Sequence, residues 1–425
     1  MATRSVGYIE LLRQNKVFRR LWYGQIVSQL GDWFNSIALY ALLYNLTGSG
    51  QAVGALLVAQ FLPATLVGPW SGVIVDRLPR KLVLIVTDVL RAVVVLALLL
   101  VRDPGSVWII YVVTVLNFSF AAFFEPARSA TIPMITRREE LVAANAISGA
   151  TWSAMLALGA GIGGFVAGLL GTDVAFVLNS ITFLVSAVII SQIRMQETHL
   201  NHRVPSSGLH DLREGVTYVF TRKDVFIYAT SKAWWSLGGG VLLLLTIVGQ
   251  QLFPLGEDSA ISIGLLYAAR GIGTGIGPIL ARYLGGESIC FLRRAIGPSF
   301  LITTFGYVAF SGAPNLAIAM LVVGIAHMGG SIQWVFSTAL LQMHVPQQLQ
   351  GRIFAIELAL LTFATAMSSY IIGLAADAGW APRMIALVVA GVFMVPGIIL
   401  TLLLWRTPAI DQSEEQHVDA ALLKV

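Results

Sequence analysis

The sequence predicts an all-α membrane protein with twelve transmembrane helices arranged as two six-helix bundles. Of its 425 residues, 56% are hydrophobic and only 12% are charged, which is about half the charge of a typical soluble domain. Long apolar runs alternate with short polar breaks, and the longest polar break lies near the middle of the chain. This composition excludes a water-soluble enzyme and an intrinsically disordered chain.

The apolar runs have the length of membrane-spanning helices, which need about 20 residues each. Strands of a membrane barrel are excluded because they would alternate apolar and polar residues. The predicted spans are 19–46, 51–75, 82–101, 106–127, 140–170, 172–193, 225–253, 259–284, 288–311, 314–337, 350–376 and 381–405.

The spans divide the chain into five predicted parts. These are an N-terminal arm (1–18), an N-terminal bundle (19–195), a central loop (196–224), a C-terminal bundle (225–405) and a tail (406–425). The arm has apolar residues at helical spacing and is predicted to be either an interfacial helix or a solvated leader. An even division into two halves is typical of duplicated transporters, whose substrate site lies between the halves near the membrane midplane.

The distribution of lysine and arginine predicts the orientation. With the N-terminus inside, 22 of the 27 basic residues fall on the inner side, and only Arg102 and Arg383 fall on the outer side. This asymmetry predicts that both termini are cytoplasmic in a multi-pass protein of the cell membrane. The basic residues form no single face, so nucleic acid is not expected as a partner. The single cysteine, Cys290, excludes a disulfide framework.

The loop between the second and third spans carries a compact charged motif. Gly72 permits close helix contact, Asp76 follows one turn later, and Arg77, Arg80 and Lys81 complete the loop. Asp76 is expected to bind a basic group or a helix N-terminus on a neighbouring span in one conformation and to lose that contact in another. The alternative interpretation is an ordinary positively charged inner loop.

This loop resembles the signature of the major facilitator superfamily, with Pro79 where glycine is usual. The segment from Glu125 through Asn145 is similar to the branch that contains macrolide-efflux and enterobactin-exporter proteins. Gly31-Asp32-Trp33, and Asp88 with Arg91, also resemble that branch. The resemblance implies the twelve-helix fold of the superfamily, and transport by alternating access in exchange for protons.

The fifth span departs from the antiporter pattern of the superfamily. It reads Gly159-Ala160-Gly161-Ile162-Gly163-Gly164, so the glycines of the usual element are present and its proline is absent. Glycines at this spacing are expected to let the backbones of two helices pack closely.

Several ionisable residues lie within the predicted spans, where each is costly. Asp32 is near the midplane of the first span and is our first candidate for proton coupling. Lys232, in the seventh span, is a candidate partner for an acid or an anionic substrate. Glu357 and Arg270 are further buried charges without a partner fixed by the sequence, and Glu357 is another candidate for proton coupling or substrate binding.

Two acid–base pairs have i,i+3 spacing on one helix face. Asp88 and Arg91 are predicted to neutralise each other and support the Asp76 loop. Glu125 and Arg128 are predicted to form a gate pair or a loop anchor, and Glu125 is a further candidate for proton coupling.

Aromatic and amide side chains near the span centres are candidates for a cavity lining, because amphipathic substrates suit apolar pockets with a few polar groups. They are Trp33, Gln60, Phe124, Trp234, Trp235 and Gln333.

The sequence contains no Walker A loop and no zinc-protease or serine-hydrolase motif, so no enzyme activity, cofactor or metal is expected. We therefore predict a monomeric secondary transporter that exports small amphipathic molecules, drug-like or siderophore-like, in exchange for protons. Two alternatives remain open. One is a lysophospholipid translocator with a cavity open sideways to the bilayer, and the other is a membrane sensor that does not transport.

Overall fold

A computed structural model describes residues 7–137, 140–195, 216–286, 288–345 and 347–406. The side chains of Asp76 and Arg77 and the surroundings of Gly72 lie outside the described parts. The contact predicted for the Asp76 loop therefore stays a prediction.

The described chain is built almost entirely of helices. In order they are α1 (Tyr8–Gln14), α2 (Lys16–Thr47), α3 (Gly50–Arg77), α4 (Arg80–Leu96), α5 (Val107–Ile135), α6 (Leu141–Leu170), α7 (Thr172–Ser191), α8 (Lys223–Ser236), α9 (Val241–Gln251), α10 (Ala260–Gly285), α11 (Ile289–Ser311), α12 (Leu316–His344), α13 (Gln347–Asp377) and α14 (Pro382–Arg406).

These helices match the twelve predicted spans one for one, with α8 and α9 together forming the seventh. In the described residues, ten spans are long and apolar enough to cross a membrane. The other two, α2 and α11, are long enough but more polar. Their polar side chains, such as Gln25 and Asn35 on α2 and Thr303 on α11, are buried inside the protein. This burial explains why a polar helix can still be a span.

The seventh span is not the continuous helix that its hydropathy predicts. It breaks at 237–240, where Gly238, Gly239 and Gly240 follow one another. Consecutive glycines weaken a helix because they have the largest conformational freedom to lose. Ser368 of α13 stabilises the break, since its hydroxyl donates to the Leu237 carbonyl (2.6 Å) and accepts from the Gly240 amide (3.0 Å).

The described part of the N-terminal arm, from residue 7 onward, is folded against the first bundle. Leu11 on α1 is fully buried. Asn15 caps α2 by accepting from the Phe18 amide, and its amide nitrogen donates to the Ile135 carbonyl at 2.7 Å and to Glu140 at 3.1 Å. Of the two predicted forms of the arm, a solvated leader is therefore wrong. The central loop is helical at 216–221, and its part at 196–215 lies outside the described residues.

The two bundles meet along two helix pairs, α6 with α10 and α3 with α13. Glycines make the first contact close, since a methyl group added to Gly164 would lie 2.8 Å from the Gly264 Cα and 2.6 Å from the Ala260 carbonyl. This confirms the close packing predicted for the glycine-rich fifth span.

We call the end of the molecule that carries the α2–α3 and α13–α14 connections the distal end, and the opposite end the terminus end.

Candidate functional site

A charged network occupies the middle of the first bundle and centres on Arg91 of α4. Its Nη2 donates to Asp32 Oδ1 on α2 at 2.6 Å, and its Nε donates to Asn117 Oδ1 on α5 at 3.0 Å. Its guanidinium carbon lies 4.1 Å from the centroid of the Phe183 ring on α7. One arginine thus connects four helices of this bundle.

The predicted local pair of Asp88 and Arg91 is the weaker of the two contacts that Arg91 makes with acids. Asp88 is fully buried and its Oδ1 lies 3.9 Å from Arg91 Nη1, whereas Asp32 lies at direct hydrogen-bond distance. Asp32 is also the more exposed of the two acids. Its side chain is 34% exposed, whereas that of Asp88 is fully buried and that of Arg91 is 4% exposed. The i,i+3 spacing identified Arg91 as a paired cation but missed its main partner, Asp32.

A second charged network lies in the second bundle. Lys232 on α8 donates from Nζ to Glu357 Oε2 on α13 at 2.9 Å and to Thr338 Oγ1 on α12 at 2.7 Å. Its Nζ also lies 4.7 Å from the Trp334 ring centroid. Both charged side chains are only 5% exposed. The structure thus pairs Lys232 with Glu357, two ionisable residues for which the sequence defined no specific partner.

The Glu125–Arg128 pair forms as predicted, with Arg128 Nη2 donating to Glu125 Oε2 at 2.8 Å. Arg128 also donates to Gln25 Oε1 on α2 at 3.2 Å, so the pair ties α5 to α2. In the charged loop, Arg80 donates to the Ala130 carbonyl of α5 at 2.7 Å. Lys81 follows it in the first turn of α4.

The side chains predicted to line a cavity are distributed over several environments. Trp33 packs beside Tyr267 of the second bundle, with ring centroids 6.3 Å apart, and Gln60 is buried and accepts from Tyr40 Oη at 2.8 Å. Phe124 lies in the core of the first bundle. Trp235 packs against His327 and Phe393 in the second bundle.

The remaining two side chains of this set, Gln333 and Trp234, differ most in exposure. Gln333 is fully buried and donates to the Ser231 carbonyl at 3.4 Å. Trp234 is 43% exposed and lies in a surface groove between α8 and α14. Of the six, Trp33 has the clearest position between the two bundles.

A contact that sequence reasoning missed joins the bundles at the distal end. The carboxylate of Asp377, the last residue of α13, accepts hydrogen bonds from the Ser49 hydroxyl (2.5 Å) and from the amides of Gly50 (2.6 Å) and Gln51 (3.1 Å) at the start of α3. Gln51 also donates to Tyr370 Oη at 2.7 Å. An acid beside an amide-rich helix N-terminus is electrostatically favourable. The missed signal was an acid immediately after a predicted span, 350–376.

Twelve spanning helices in two bundles, with a charged network inside each bundle, are typical of multi-pass membrane transporters. The chain belongs to the Major Facilitator Superfamily, whose family model matches residues 21–356.

Similar proteins include transporters named for export. The chain is 25% identical over 380 residues to the putative bacilysin exporter BacE of Bacillus amyloliquefaciens, covering 88% of this chain and 92% of that protein. It is 24% identical over 376 residues to macrolide efflux protein A of Streptococcus pyogenes, covering 85% and 89%. The crystal structure of the nucleoside transporter NupG has the same fold, with a TM-score of 0.68, 11% identity and coverage of 92% and 100%.

Proposed function

We propose that this protein exports small amphipathic molecules across the bacterial cell membrane in exchange for protons. The observation that carries the proposal is the Asp32–Arg91 pair. Asp32 has a buried arginine on a neighbouring helix as its counter-ion, and one-third of its side chain is not covered by protein. Exchange with protons requires that this uncovered part faces water. Protonating Asp32 would weaken this contact between α2 and α4, and the loss of the pair would change how the helices pack.

The distal-end contact supports alternating access. Asp377 on one bundle caps α3 on the other, and Thr65 and Thr362 share a hydrogen bond further along the same helix pair at 2.8 Å. With both termini in the cytoplasm, as the basic residues predict, the distal end is the outer side. The structure then corresponds to a state in which the outer end is closed. The relatives named as exporters support the direction of transport.

The proposal predicts that flux depends on a pH gradient. Purified protein in liposomes should accumulate at least one member of a panel of macrolides, siderophores, dyes and lysolipids when a pH gradient is imposed. Collapsing the gradient with a protonophore should abolish that accumulation. Asp32→Asn should lose the gradient-driven part, whereas Asp173→Asn should keep it, because Asp173 pairs with Arg102 at the surface, where side chains are 45% and 61% exposed. Unchanged flux after collapse of the gradient would refute proton exchange.

One observation favours a second candidate, translocation of a lysophospholipid. A groove of about 340 Å³ lies between α3 and α13, where the two bundles meet, and is lined by side chains such as Leu62, Thr65, Phe363 and Met367. Leu62, Phe363 and Met367 are exposed on the apolar surface, so the groove opens sideways. Flux of lysolipids alone, insensitive to the pH gradient, would support this candidate over export of drug-like molecules.

A further inference from the structure

Arg270 is a cation at the seam between the two bundles that has no counter-ion among the described residues. It is the eleventh residue of the 26-residue helix α10 and therefore lies near mid-depth. The next residue, Gly271, packs against the backbone of Ala157 on α6, where an added methyl group would lie 2.5 Å from the Ala157 nitrogen. Arg270 is thus placed where the two bundles meet.

Arg270 is half-buried, and the fully buried cations of the described chain all have acidic partners. Arg91 pairs with Asp32 at 2.6 Å, Lys232 with Glu357 at 2.9 Å, and Arg293 with Asp224 at 3.5 Å. By contrast, no described hydrogen bond or ion pair involves the Arg270 side chain, and its Nε is buried without a partner. An uncompensated cation inside a membrane protein is costly, so an anion supplied by a ligand would stabilise it.

The surroundings of Arg270 are aromatic and come from both bundles. Its guanidinium carbon lies 5.9 Å from the Tyr267 ring centroid. Tyr267 in turn neighbours Trp33 and Tyr40 of α2, with centroids 6.3 and 5.9 Å away. The hydroxyls of these tyrosines are committed elsewhere, Tyr40 to Gln60 and Tyr267 to the Leu242 carbonyl. The rings of Tyr40 and Tyr267 are buried in this structure, so the half-buried Trp33 is the one of these aromatic side chains with ring surface open to contact. The Arg270 guanidinium keeps its Nε donor without a partner.

We propose that Arg270 binds a carboxylate group of the transported molecule, while the ring of Trp33 contacts its apolar part. A guanidinium binds a carboxylate through two parallel hydrogen bonds. Because Trp33 and Arg270 belong to different bundles, a ligand held by both would sense their relative movement. This inference rests on the proposed function, because it assumes that the protein transports amphipathic molecules and adds that they carry a carboxylate.

Binding at equilibrium, without any gradient, tests this assignment separately from proton coupling. The probes are N-dansyl-phenylalanine, which carries a carboxylate, and N-dansyl-phenylalaninamide, which has the same shape without the charge. Isothermal titration calorimetry in detergent micelles, with empty micelles subtracted, should show that the carboxylate binds about ten times more tightly than the amide, as expected for a charge-assisted hydrogen bond.

Variants at this position locate the effect. Arg270→Gln should bind both probes with equal affinity, Arg270→Lys should keep part of the preference, and the surface control Arg102→Gln should keep all of it. Equal affinity of the two probes for the unmodified protein would overturn the assignment, as would failure of both to bind or an undiminished preference in Arg270→Gln. Failure of gradient-driven flux would refute proton exchange but would leave a measured preference for the carboxylate intact.

Discussion

Replacing Glu357 with leucine is expected to destabilise the protein by about 3–5 kcal/mol, the usual cost of leaving one partner of a buried ion pair uncompensated. Lys232 would keep only Thr338 and the Trp334 ring as neighbours of its ammonium group. The double variant Lys232→Met with Glu357→Leu should recover most of this loss, because it removes both charges and fills the same space with apolar groups.

Reversible unfolding in mixed detergent micelles measures this difference. The matched control is Arg102→Gln, which breaks an ion pair of similar length at the exposed surface and should change stability by less than about 1 kcal/mol. If the single and double variants at Lys232 and Glu357 were equally stable, the pair would not be an energetic unit. A stable double variant that no longer transports would show that the pair is retained for function.

Replacing Asp377 with alanine is expected to open the distal end. The substitution removes three hydrogen bonds that Ser49 and the first amides of α3 on one bundle donate to the Asp377 carboxylate on the other. Loss of a helix cap alone costs about 0.5–2 kcal/mol, and each factor of ten in a population corresponds to about 1.4 kcal/mol. The ratio of closed to open molecules should therefore fall by roughly tenfold.

Spin labels across the distal end report this shift. Cysteines replacing Trp108 on the first bundle and Trp380 on the second, in a Cys290→Ser background, would give distance distributions by double electron–electron resonance. Asp377→Ala should increase the fraction of long distances. Asp173→Ala is the control, because Asp173 lies at the same end and pairs with Arg102 of its own bundle. Identical distributions for Asp377→Ala and the unmodified protein would show that this contact does not hold the end closed.

The sequence predicted the helices well because the membrane imposes length and hydropathy on each span. The sequence did not predict the break in the seventh span. Hydropathy treats this span as one apolar run, because three glycines do not make the run polar. The sequence also failed to pair the charges across helices. Spacing along one helix suggested Asp88 for Arg91, but tertiary packing brings Asp32 closer.

The remaining contacts depend on how the bundles dock, which no local pattern encodes. Lys232 and Glu357 lie 125 positions apart, and Asp377 contacts residues more than 320 positions away. The lack of an acidic partner for Arg270 among the described residues is likewise a property of the assembled fold, because it depends on where the acids of other helices lie. Residue type and span depth identified the candidate charges. Only the three-dimensional arrangement shows that, within the described residues, Arg270 lacks an acidic partner whereas Arg91 and Lys232 have one.

The most direct test of proton exchange follows protons rather than substrate. Liposomes containing the protein and a pH-sensitive dye receive a gradient of the transported panel compound, with no initial pH difference. We predict that substrate movement drives a pH change inside the liposomes for the unmodified protein and none for Asp32→Asn. An equal pH change in both proteins would contradict the assignment of Asp32 as the proton carrier.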